Sequence, residues 1–177
     1  MTDRILLALF GLVGVAAGAH AQAIPLAPDP KPNPDGWQEE RRISKLTGRE
    51  SYFAFKQSNE TVLNGIGSPA RATLALSCLG DKFMIGLNWP TYMGLDSVVI
   101  QTSIDRSPVR KWFFSLTRAN LAFLDGHKNW AKFSDGALNG QTLAVRVNAY
   151  ADAQEATFDL RGVDEVMGAA SSLCAGK

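Results

Sequence analysis

Short segments with alternating apolar and polar residues recur along most of this chain, and they constrain its fold more than any other feature. Alternation with a period of two is typical of a β-strand that has one face against a core and the other in water. The clearest case is residues 72–78, which lead through Gly80-Asp81 into residues 83–87 and predict a hairpin. The other predicted strands are residues 38–45, 51–56, 97–104, 109–116, 142–149 and 155–160.

Two segments have the period of an α-helix instead. The stronger one follows Gly162 and has apolar residues at spacings of three and four: Val163, Val166, Met167, Ala170 and Leu173. Residues 127–138 predict a shorter helix with Trp130, Phe133 and Leu138 facing inward. About seven short strands with few helices between them predict a mainly β fold, either an antiparallel β-sandwich or a partly open barrel, with a C-terminal α-helix.

The chain has two cysteines, Cys78 in a predicted strand and Cys174 in the last turn of the C-terminal helix. In an oxidising compartment an isolated pair predicts one disulfide. It would close a loop of about 95 residues and clamp the helix to the strand. A zinc site is a poor alternative because structural zinc requires four nitrogen or sulfur ligands, and no C-x-x-C redox motif is present.

The N-terminal segment has the pattern of an export signal. Arg4 precedes an unbroken run of apolar and small residues from Ile5 to Ala19, and Ala19-His20-Ala21 has the small-x-small form that signal peptidase recognises. The run of about 15 residues is shorter than the roughly 20 that a bilayer-spanning helix requires. We therefore expect a signal peptide over residues 1–21, cleaved after Ala21, and a periplasmic or secreted protein without a membrane span after cleavage. An uncleaved membrane anchor and a cytosolic chain are the alternatives.

Prolines at positions 25, 28, 30, 32 and 34 dominate residues 22–36. This spacing favours extended polyproline II, which contributes no sheet or helix hydrogen bonds. We interpret the segment as a stiff Pro-rich leader, with a proline-rich docking ligand as the alternative. The remaining residues, 37–177, are long enough for a single β-rich domain.

Several classes of chemistry lack their motifs. The net charge of +1 provides no electrostatic case for binding nucleic acid. After signal cleavage His127 is the only histidine, and the chain contains no G-x-S-x-G, no S-x-x-K and no phosphate-binding glycine loop. The adjacent carboxylates Glu39-Glu40 and Asp164-Glu165 are interpreted as surface charge. We therefore predict a non-enzymatic protein with no catalytic residues, no metal site and no cofactor.

Aromatic residues supply the remaining candidates for a binding site. Trp89 and Tyr92 lie in a loop that follows a predicted strand, and Trp112-Phe113-Phe114 places aromatic side chains on both faces of another. One of those two faces can enter the core, whereas the other requires a cover or a partner. Cover by a helix or loop of the same domain is the first interpretation. The alternative is a binding surface around Trp89, Tyr92 and Trp112.

Residues 37–174 also resemble the type VI secretion-associated VasI/TagO family of periplasmic proteins. The resemblance is carried, in order, by Trp37, Ser44-Lys45-Leu46-Thr47, Leu74-Ala75-Leu76-Ser77-Cys78, the strand ending near Trp89, the strand over residues 98–105, Lys111-Trp112-Phe113-Phe114-Ser115, Leu143-Ala144-Val145-Arg146, Ala156-Thr157-Phe158-Asp159-Leu160-Arg161-Gly162 and Cys174. It implies a secreted, β-rich accessory domain that is associated with a secretion apparatus in some members. It transfers no catalytic residues, and the long proline leader departs from the pattern.

The leading expectation is a non-enzymatic periplasmic accessory protein that binds another envelope protein, such as a secretion-system component. A glycan or small-ligand-binding module that uses the same aromatic residues is the second hypothesis. A cell-wall hydrolase that uses carboxylates is the third, because paired carboxylates require no local sequence motif.

Overall fold

The alternating segments pair into one antiparallel sheet. The computed structural model describes residues 31–32, 36–149 and 152–175, so the predicted signal peptide and most of the proline leader lie outside the described residues. The strands are β1 (Lys31–Pro32), β2 (Gln38–Ile43), β3 (Glu50–Leu63), β4 (Pro69–Leu79), β5 (Lys82–Asn88), β6 (Ser97–Ile104), β7 (Arg110–Arg118), β8 (Leu121–Asp125), β9 (Thr142–Asn148) and β10 (Ala153–Asp159). The helices are α1 (His127–Ala137) and α2 (Val163–Ala175).

The order of strands in the sheet is β1-β2-β3-β4-β5-β8-β7-β6-β9-β10. The sheet curls into a half-barrel, so the mainly β prediction is confirmed, and the partly open barrel is the architecture that forms. The predicted hairpin is β4–β5, in which Cys78 pairs with Phe83 across a turn where Gly80 has a φ of 74°. Glycine adopts this left-handed conformation without the steric cost that a side chain imposes.

Helix α2 packs against β3, β4 and β5 and covers the core at that side of the sheet. Val163, Val166, Met167 and Ala170 of its predicted stripe are buried, and Leu173 is partly buried. Cys78 and Cys174 form the predicted disulfide, with their Cα atoms 5.8 Å apart. The bond therefore joins the last turn of α2 to β4. Disulfides persist in oxidising compartments, so this one fits a protein outside the cytoplasm.

The two sides of the curled sheet meet where β3 approaches β10. No backbone hydrogen bond joins these two strands within the part of the chain that the structure describes. Instead, Glu60 accepts hydrogen bonds from the backbone N–H and the hydroxyl of Thr157, at 2.8 and 2.7 Å. Partial burial alone would raise the pKa of Glu60, but the hydrogen bonds from Thr157 and the charge of Arg71 lower it below its ordinary value.

The structure departs from the expected elements at four places. β8 was not predicted, because Leu121–Asp125 is short and follows β7 after a turn of two residues. β3 continues to Leu63 through polar residues that lack alternation, with a shift of pairing register between Gln57 and Thr61. Leu138 is exposed, and Ala137 is buried in its place. Within the leader, Lys31–Pro32 pairs with β2, at a sheet edge where proline is tolerated.

Candidate functional site

The three aromatic residues predicted to form a binding surface do not share one surface. Trp89 is fully buried, and its indole N–H donates to the side-chain oxygen of Gln154 at 3.0 Å. Trp112 is 8% exposed and donates to the hydroxyl of Thr102 at 2.8 Å. Tyr92, at 39% exposed, is the member of this set that a partner can reach. Both tryptophans therefore act as core residues whose polar N–H group is satisfied inside the protein.

The aromatic triplet on β7 divides between the two faces of the sheet as expected. Trp112 and Phe114 enter the core, whereas Phe113 is 76% exposed. Helix α1 packs against β5 and β8 and buries Trp130 and Phe133. Among the described residues, α1 therefore covers the core beside β5 and β8 and leaves Phe113 exposed.

Tyr92 lies on an open groove at one end of the sheet, with a volume of about 840 Å³. Three segments form its walls: the end of β3 with the loop that follows it, the loop after β5, and the start of β10 with the turn before it. We call it the end groove, and its side chains include Leu63, Asn64, Tyr92, Asp152, Gln154 and Glu155. Clefts of this size at the loop end of a rigid sheet are common positions for binding sites.

Hydrogen bonds hold the loops around the end groove in place. In the loop after β3, the side-chain oxygen of Asn64 accepts from the backbone N–H groups of Ile66 and Ser68, at 3.0 and 2.9 Å. In the loop after β5, the N–H of Met93 donates to the carbonyl of Ala119 at 2.7 Å. Two walls of the groove are therefore fixed before a partner arrives, which lowers the entropy lost on binding.

The end groove combines apolar surface with carboxylates. Leu63 and Tyr92 are exposed, and the same lining carries the carboxylates Asp152 and Glu155. Glu155 lies 3.6 Å from the guanidinium of Arg146, but both side chains are largely exposed, so the pair contributes little to stability. The surface is suited to a ligand that has apolar groups and hydrogen-bond donors.

The carboxylate pair Glu39-Glu40 is engaged in structural contacts. The hydroxyl of Tyr52 donates to Glu39 at 2.9 Å, and Glu40 pairs with Arg42. Burial, together with the hydrogen bond to Glu39, raises the pKa of Tyr52 above its ordinary value. Asp164 and Glu165 lie in the first turn of α2, where the helix dipole favours negative charge. In the described ranges, no three His, Cys, Asp or Glu side chains are placed to hold a metal ion.

Sequence reasoning found Tyr92 but missed the residues that surround it. Asn64 and Gly65 lie between the predicted strands 51–56 and 72–78, and Asp152 lies between the predicted strands 142–149 and 155–160. Their turn composition was the available signal, but no local pattern shows that the two segments meet. The order of strands in the sheet determines which distant segments of the chain become neighbours in space.

No protein-family model, no curated protein and no solved structure matches this chain. None of the described helices has the length and apolar character required to cross a membrane.

Proposed function

We propose that this protein is a non-enzymatic accessory protein of the bacterial periplasm that binds another envelope protein through the end groove. The observation that carries the proposal is the groove itself, which places Tyr92 and apolar side chains within a frame of hydrogen-bonded loops. Preformed concave sites with an aromatic group and a few polar groups are typical of specific recognition.

Two further observations support the proposed periplasmic location and the proposed class of accessory protein. The Cys78–Cys174 disulfide is typical of proteins that fold outside the cytoplasm. The predicted signal peptide over residues 1–21 and the resemblance to type VI secretion-associated proteins point to the periplasm and to a secretion-system component as the partner.

Site-specific cross-linking in the bacterial envelope tests the proposal. A photoreactive phenylalanine analogue replaces Tyr92 in one strain and exposed Leu46, on the β2–β3 hairpin, in a control strain. We expect a discrete cross-linked product from position 92 and not from position 46, with the partner identified by mass spectrometry. Purified partner should then bind the wild-type protein at least about tenfold more tightly than Tyr92→Ala, as expected for an aromatic anchor.

Two results would contradict the proposal. If position 92 yields no cross-link, or the same products as position 46, the end groove is not the binding surface. If purified protein releases soluble fragments from cell walls, and replacement of a single carboxylate abolishes that release, the protein is a hydrolase.

A further inference from the structure

A second groove lies between the start of β7 and α1, with a volume of about 690 Å³. We call it the basic groove. It shares no residue with the end groove, so its role is independent of the function proposed above. Its main lining residues are Arg110, Lys111, Trp112 and Phe113 from β7 with Lys132 and Asp135 from α1.

Positive charge is concentrated in the basic groove although the whole chain is almost neutral. The lining contains three cations, Arg110, Lys111 and Lys132, and one carboxylate, Asp135. Among the described residues, the ion pairs that form include none of these four groups. Arg110 donates to the backbone carbonyl of Lys132 at 3.2 Å, which ties β7 to α1 and leaves the rest of its guanidinium edge for a ligand.

Phe113 lines the same groove and is 76% exposed, and alternation along β7 places its side chain on the same face as Lys111. The next outward-facing residues on the same strand, Lys111 and Ser115, are polar, so the aromatic ring is not required for sheet formation. Its neighbour across the strand pair is Val99, which is itself partly exposed. The groove thus joins an apolar, aromatic surface to unpaired positive charge.

We propose that the basic groove binds an acidic polysaccharide that carries carboxylate groups. A sugar ring has a face of C–H bonds that packs on the negative face of an aromatic ring, which Phe113 provides. The guanidinium of Arg110 matches the geometry of a carboxylate, and Lys111 and Lys132 supply further positive charge. A polysaccharide that carries sugar rings and carboxylates along its chain can therefore contact Phe113 and the cations of the groove at the same time.

Titration calorimetry with three polymers tests the ligand class. Polygalacturonate has sugar rings and carboxylates, dextran has sugar rings without charge, and polyglutamate has carboxylates without sugar rings. We expect polygalacturonate to bind, with an affinity that falls as salt is raised, and at least about tenfold more tightly than either other polymer. Failure to bind polygalacturonate, or equal binding of polyglutamate, overturns the proposal.

Three variants test the site. Phe113→Ala should weaken polygalacturonate binding about tenfold, and Lys111→Glu at least about fivefold, with thermal midpoints near that of the wild type because both side chains are exposed. Lys45→Glu makes the same charge change on an exposed residue outside the groove and should leave the affinity unchanged. If Phe113→Ala binds as tightly as the wild type, or Lys45→Glu weakens binding as much as Lys111→Glu, the assignment of this groove is wrong.

Discussion

Removing the Cys78–Cys174 disulfide should cost a large part of the stability of the domain. The bond spans a sequence separation of 96 residues. In the chain-entropy model, opening a loop of that size lowers the free energy of unfolding by about 4.7 kcal/mol at 25 °C. A domain of roughly 140 residues unfolds with an entropy of about 0.3 kcal/mol per kelvin, so the thermal midpoint should fall by about 16 °C. A typical domain is stable by only about 5–15 kcal/mol.

The double variant Cys78→Ala/Cys174→Ala measures this loss by guanidinium unfolding, followed by tryptophan fluorescence. The wild-type protein with its disulfide reduced is the matched control, because it opens the same loop without changing side chains that are buried in the core. We expect the two to agree within about 1 kcal/mol, since both remove the same constraint on the unfolded chain. A loss below about 1 kcal/mol in both would refute the reasoning and indicate that the bond constrains the unfolded chain very little.

Three further substitutions test individual contacts. Glu60→Gln should lower the free energy of unfolding by about 1–2 kcal/mol at pH 7, because it weakens the hydrogen bonds from Thr157. Folding lowers the pKa of Glu60 from 4.5, so the difference in free energy of unfolding between Glu60→Gln and the wild type should shrink as the pH falls below 4.5. A difference that stays constant in denaturant titrations over this pH range would contradict the prediction. Trp89→Ala should cost about 3–5 kcal/mol in chemical denaturation, and an unchanged midpoint would show that Trp89 is not a core residue. Arg106→Gly should raise the free energy of unfolding by up to about 1 kcal/mol, because Arg106 has a φ of 61° that favours glycine. The thermal midpoint should rise accordingly, and a lower midpoint would argue against backbone strain.

Local patterns predicted the elements well where alternation or helical period was strong. The helix after Gly162 begins at Val163 as expected, and residues 97–104 form β6 with the predicted bounds. The patterns failed where a segment is ordered mainly by its neighbours. The polar half of β3 is held by pairing with β4, and β8 by pairing with β5 and β7 on its two sides. Tertiary pairing can therefore impose strand structure on residues of weak intrinsic preference.

The candidate site was only partly accessible to sequence reasoning. The sequence does not show whether an aromatic residue in a loop is exposed or buried. Trp89 and Tyr92 lie three residues apart, yet Trp89 is buried and Tyr92 is exposed. Which of them is buried depends on β10, whose Gln154 reaches the indole of Trp89 from a position 65 residues away. The sequence predicted that one face of β7 exposes an aromatic side chain, but it did not predict that Lys132 of α1 lines the same groove as Phe113.

The sequence by itself determined most of the strand segments, the C-terminal helix and the identity of the disulfide partners, because alternation, helical period and a single pair of cysteines are local or countable properties. Only the tertiary structure decided that β8 lies between β5 and β7, that β10 meets β3 through Glu60, and that two grooves result. These features depend on hydrogen bonds and packing between segments far apart in the chain, and no local pattern encodes which distant edge or face a strand will meet.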